Sequence, residues 1–150
     1  MDEDSIKRYI VDTFADVDYV ESEGNYYFFY NPDSPPDYML PFTTLMTNDF
    51  NDKASDLDRP DIYRLNIGVS RATYQSLFGH HPDGTDVTGT VYDFSRLDQL
   101  MPHPVYAQQY WLCVLNPGPV IFETVKGLLA QAYQRAVDRR HKRNANDTEE

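Results

Sequence analysis

The sequence predicts an α+β fold in two layers: a single antiparallel sheet of about five strands with helices mainly on one face, in the order α-β-β-β-β-α-β-α. Three observations carry that expectation. Residues 121–137 place Ile121, Phe122, Val125, Leu128, Leu129, Ala132, Tyr133, Ala136 and Val137 on one stripe at helical period. Residues 111–115 read Trp-Leu-Cys-Val-Leu with no polar side chain, which suits a strand covered on both faces and therefore interior to the sheet. Residues 62–69 alternate, with Tyr63, Leu65, Ile67 and Val69 facing one way and Arg64, Asn66 and Gly68 the other, as a half-buried strand does.

Taken in order, Asp4 or Ser5 can cap a first helix whose apolar face is Ile6, Tyr9, Ile10 and Phe14. Residues 18–21 and 26–30 flank Ser22-Glu23-Gly24-Asn25, where Gly and Asn tolerate the positive backbone angles of a tight hairpin. Prolines 32, 35 and 36 end the second strand, and residues 42–47 form a third. Residues 48–61 hold Asp49, Asp52, Asp56, Asp58 and Asp61 with few apolar anchors and read as a solvated loop. After the alternating strand, Ser70 caps a short helix to Phe78, and Gly79 stops it. Residues 80–91 form a long Gly-, Asp- and Thr-rich loop, and Ser95 caps one more helical turn through Leu100. Asn116-Pro117-Gly118-Pro119 turns the chain into the last helix, whose end carries Arg139, Arg140, Lys142 and Arg143 at its negative pole. Residues 1–143 are expected to form one domain and residues 144–150 a disordered tail.

A net charge of −11 over 150 residues argues against general affinity for nucleic acid or an anionic membrane, both of which need clustered Lys and Arg. The lone Cys113 sits in the most apolar strand and reads as a small core residue, in keeping with a reducing compartment. With an acidic N-terminus and no apolar run near the roughly 20 residues of a membrane span, the expected location is cytoplasmic, so the sequon at Asn146 is idle.

No stretch carries a catalytic, metal or cofactor signature. Gly68-Val69-Ser70-Arg71-Ala72 echoes a nucleophile elbow, but a helix cap explains Ser70 better. Aligning Asp49 with the first position of a calcium loop puts Lys53, Ala54 and Pro60 where an acid, a glycine and a glutamate belong. His80, His81 and His103 lack metal-ligand spacing, and Gly79, Gly84 and Gly89 lack the lysine of a phosphate loop. The expectation is no cofactor, no metal and no catalytic residue.

Residues 57–70, from Leu57-Asp58-Arg59-Pro60 through Arg64-Leu65-Asn66-Ile67-Gly68-Val69-Ser70, resemble one signature segment of an uncharacterised bacterial family. The second such segment is residues 101–117, from Met-Pro-His-Pro-Val-Tyr through Tyr-Trp-Leu-Cys-Val-Leu-Asn-Pro. That family is a domain of unknown function common in actinobacteria, and the likeness spans nearly the whole chain. More distantly, the element order and the pairing of an Arg-Leu-Asn strand with a late strand and long helix are similar to YjbR/MmcQ-like proteins, whose fold is grouped with secretion chaperones. The resemblance implies a fold rather than an activity. The DNA binding proposed for some YjbR-like proteins would have to overcome the acidic charge.

The functional expectation rests on the second face of the sheet. Residues 26–30 are aromatic on both faces and residues 111–115 apolar on both, so something must cover the side away from the helices. The long loop, a second subunit in a homodimer, or a bound ligand would do so. The candidate binding residues are Arg64, Asn66, His103, Tyr110 and Trp111, for a protein partner or a small ligand. Against this stands an intramolecular arrangement, with the loop folded back, Arg64 paired to a loop aspartate and His103, between two prolines, a rigid surface corner. The alternative function is a small enzyme using His103 with a loop carboxylate as general acid and base, and DNA binding is third.

Overall fold

The computed structural model describes residues 1–33, 40–79 and 92–148, with side chains through residue 143. His80, His81, Gly84 and Gly89 lie outside the described residues. Helix α1 (Glu3–Thr13) buries Ile6 and Ile10 and is capped by Asp2, whose carboxylate accepts from the Ser5 amide at 2.9 Å. The cap therefore falls two residues before the expected Asp4, which leaves Glu3 and Asp4 in the positive first turn. Strands β1 (Val17–Ser22) and β2 (Asn25–Tyr30) form the hairpin through a two-residue turn. Its left-handed positions are Glu23 and Gly24, at φ 54° and 78°. Asn25, expected to take such an angle, is instead buried in β2, where its Oδ1 accepts from the Thr47 amide at 2.8 Å.

Strands β3 (Thr43–Met46) and β4 (Arg64–Gly68) follow, then α2 (Arg71–Phe78). The Ser70 hydroxyl accepts from the Thr73 amide at 3.1 Å, and Gly79 closes the helix at φ 76°. Strand β5 (Met101–Pro102), a 3₁₀ turn (Ala107–Gln109), β6 (Trp111–Leu115) and α3 (Pro119–Thr148) complete the chain. The sheet is antiparallel throughout, in the order β1-β2-β3-β4-β6-β5. Its sixth strand, β5, escapes the periodicity reading because it is two residues long, and Pro102 is tolerated there because an edge strand can spare a ladder donor.

One element departs from expectation for a local reason. Ser95 does not start a helix; its amide and hydroxyl both donate to Asp93 Oδ1, at 3.1 and 2.6 Å, which closes a side-chain turn. The chain then runs on so that Leu97 bridges to Leu115. The backbone of α3 continues to Thr148.

All three helices pack on one face, where Ile6, Ile10, Tyr74, Phe78, Phe122, Val125 and Leu129 meet Phe28, Leu45, Leu65, Ile67, Leu112 and Val114. The other face holds a second apolar cluster of Met46, Leu57, Met101, Cys113 and Leu115, with Tyr92 and Phe94 against it. No described helix contributes to it. Strand β4 is thus buried along its whole length rather than half-buried. The aspartate-rich segment 48–61 is not simply solvated, because Leu57 and Ser55 are buried as it folds onto this second face. Its carboxylates shape the segment, Asp49 accepting from the Leu57 amide at 2.8 Å and Asp58 from the Asp49 amide at 3.1 Å. Among the described residues no helix is long and apolar enough to cross a membrane, and no cluster of His, Cys, Asp and Glu is arranged to hold a metal ion.

Candidate functional site

Strand alternation dictates which side chains reach the second face. Register pairs Met46 with Arg64, Thr44 with Asn66, Asn66 with Cys113 and Gly68 with Trp111, so these residues form a continuous floor across β3, β4 and β6. Over part of that floor the loops leave a cavity of about 520 Å³. Its lining includes Tyr27, Asp52, Arg64, Asn66, His103 and Trp111, with Tyr106 and Gln109 on the turn before β6.

Arg64 is 1% exposed, and its guanidinium is held on three sides. Nη1 and Nη2 donate to the two Asp52 carboxylate oxygens at 2.9 and 2.7 Å, Nη1 also to Ser55 Oγ at 3.0 Å, and Nε to Asn66 Oδ1 at 3.0 Å. Asn66 is fixed in turn, since its Nδ2 donates to Thr44 Oγ1 at 2.9 Å. A guanidinium has five N–H donors, and these bonds use four. The fifth, on Nη2, has no acceptor among the described residues. The Arg64 bonds hold the Asp52 carboxyl below the usual range, so Asp52 stays ionised at neutral pH.

His103 follows β5 and is 3% exposed, which overturns the expectation of a surface corner. Its Nδ1 accepts from the amides of Val105 and Tyr106, both at 3.0 Å. A nitrogen that accepts carries no proton, so neutral His103 bears its hydrogen on Nε2. Burial, and after it the Arg64 charge, pushes the imidazole pKa down to about 3, against a smaller opposing effect of Asp52. Protonating Nδ1 would also break both amide bonds. His103 therefore offers a donor over the physiological range and is poorly suited to take up a proton. No carboxylate is hydrogen-bonded to it among the described residues.

Trp111 walls the cavity because its partner is glycine: a Cβ at residue 68 would come within 2.9 Å of the indole. Tyr110, by contrast, does not line this cavity. Adjacent residues entering a strand point to opposite faces, and Tyr110, left-handed at φ 63°, packs against Tyr74 on the helix side at 5.6 Å between ring centres. Cys113 is a buried floor residue whose thiol is pushed up to about 12 by burial, so it is inert.

Of the residues singled out from sequence, the structure brings Arg64, Asn66, His103 and Trp111 around one cavity and sends Tyr110 elsewhere. Asp52 is the loop aspartate expected to pair with Arg64, and Ser55, Thr44 and Tyr27 join the site without a signal in the sequence reading. Thr44 could have been found by pairing β3 with β4 in register. Nothing in an aperiodic run of aspartates distinguishes Asp52 from its neighbours.

No curated protein and no solved structure matches the chain. Residues 1–145 match a family of unknown function, DUF6194, and the chain belongs to that family.

Proposed function

We propose that the protein is a non-catalytic binding protein, and that its ligand is a small, flat molecule rich in hydrogen-bond acceptors, held in the second-face cavity. The observation that carries this reading is the buried Arg64, fixed by Asp52, Ser55 and Asn66 yet lining an open volume with one donor that meets no acceptor among the described residues. Trp111, Tyr27 and Tyr106 supply flat apolar surfaces, and His103 Nε2 a second donor. Pockets of this size, mostly apolar with a few fixed polar groups, suit small molecules better than a protein surface, which meets flatter ground. His103, with Nδ1 already taken by two amides and its pKa pushed down by burial, favours binding over acid-base catalysis. A free, buried Cys113 fits a reducing, cytoplasmic setting.

Trp111 is the sole tryptophan, so its emission reports on the site directly. Titrating the full chain with uncharged ring amides such as benzamide, 2-pyridone and uracil should give saturable changes for at least one, with the compound recovered unaltered. Arg64→Lys keeps a charge beside Asp52 but loses the planar fork, and should weaken binding about tenfold. Flat emission throughout, together with only the bare chain mass in native mass spectrometry of protein from its own host, would refute the reading. Chemical conversion of a bound compound would replace it with the enzyme alternative.

A further inference from the structure

A second cavity, of about 280 Å³, adjoins the first, and Leu40, Pro41, Gln109 and Trp111 line both. Its far side is formed by Arg135 and Arg139 of α3. These cations stand one helical turn apart, where like charges repel. Arg135 Nη1 donates to the Val69 carbonyl at 2.7 Å, which steadies it, and its other donors meet no acceptor among the described residues. The next arginine, Arg140, has Asp33 at 2.7 Å, whereas neither Arg135 nor Arg139 has a carboxylate at ion-pair distance among the described residues. Partial burial, and after it the Arg135 charge, disfavour the Arg139 cation. In a chain of net charge −11, an arginine pair that lines a cavity and meets no carboxylate among the described residues is a local reversal of sign.

We infer that the ligand carries an oxyanion arm, a phosphate or a carboxylate, which passes Trp111 and Gln109 and seats between Arg135 and Arg139. This rests on the ring-binding reading of the larger cavity and extends it. Arginine suits the task because its fork meets two oxygens of either anion at once.

The test compares four probes by Trp111 emission on the full chain: benzamide, benzoate, phenyl phosphate and inorganic phosphate. Expected is at least about tenfold tighter binding of one charged ring than of benzamide, with the ranking of benzoate and phenyl phosphate naming the anion. Arg139→Gln, and the pair Arg135→Gln with Arg139→Gln, should reduce the charged ring to the benzamide level and leave benzamide itself unchanged. The single variant spares the Val69 contact and so guards against a folding defect in the pair. Equal affinity for charged and neutral rings, or charged-ring affinity unmoved by Arg139→Gln, overturns the oxyanion seat while benzamide binding preserves the cavity reading. If inorganic phosphate binds in an Arg139-dependent way and none of the neutral rings binds, the seat stands and the ring reading falls. Silence from all four probes overturns the oxyanion seat, and silence from 2-pyridone and uracil with a bare chain mass overturns the ring reading as well.

Discussion

Beneath the helices, the sheet buries Phe28, Leu45, Leu65, Ile67, Leu112 and Val114 against side chains delivered at regular spacing by α1, α2 and α3. On the opposite face the same strands present Thr44, Arg64, Asn66, Cys113 and Trp111, and residues 48–61 and 92–109 supply what covers them. A helix can bring only its periodic stripe to a sheet, so it covers a uniform apolar surface well. A loop can bring one aspartate, one serine and one leucine to three separate places, as Asp52, Ser55 and Leu57 show. The helical face thereby defines the fold. The loop face accommodates a buried ion pair, which is seldom the most stabilising way to fill a core.

The largest test of that contrast is Asp52→Ala. It leaves a buried guanidinium without its counter-charge and should cost about 3 to 4 kcal/mol, or roughly 10 °C in Tm for a chain this long. Replacing both partners, Arg64→Leu with Asp52→Leu, should recover most of that stability in thermal melts and abolish ring binding. A neutral Asp52→Ala would mean that water reaches Arg64 freely, and the two faces would then differ less than their burial indicates.

His103 gives the next effect. Its folded pKa of about 3 lies below the ordinary 6.5, so the unfolded chain binds the extra proton as pH falls through that interval. Stability associated with neutral His103 is complete above about pH 6.5 and should decline by about 3 kcal/mol by pH 4. Asp52, with its depressed pKa, adds a loss of the same sign only below the usual carboxylate range. Urea melts of wild type and His103→Gln at pH 7 and pH 4 would isolate the histidine contribution, since the variant should lose that much less. Parallel pH profiles would show that His103 is protonated in the folded state.

The helical face was the more legible from sequence, because α3 and β4 repeat at 3.6 and 2 residues and periodicity fixes a face without knowledge of the partner. Arg64, Asn66 and Trp111 were legible for the same reason. Tyr110 does not belong with Trp111 because alternation sends adjacent residues to opposite faces, a rule that the apolar run of residues 110–115 does not display in its composition. That a loop aspartate pairs with Arg64 is legible, whereas which aspartate it is, and that Ser55 joins it, depends on how an aperiodic segment closes in space. His103 was named as a candidate, but its burial depends on β5, a two-residue strand below the reach of any pattern.

The smallest effects give the sharpest comparison, because one substitution should have opposite signs in two places. Gly68 lies under the Trp111 ring, with room for no side-chain atom, and Gly68→Ala must displace the indole or the strand at a cost of about 1 to 2 kcal/mol. The displaced ring should shift the Trp111 emission maximum and weaken binding of any ring probe. Gly127, on the exposed side of α3, has nothing within 4 Å of the corresponding position. There Gly127→Ala removes only the entropic penalty of glycine inside a helix and should stabilise by about 0.5 to 1 kcal/mol, with emission and binding unchanged. Chemical denaturation of the two variants reads the difference directly. If Gly68→Ala also stabilised, Trp111 would have to be free to move, and the wall between the two cavities would not be fixed.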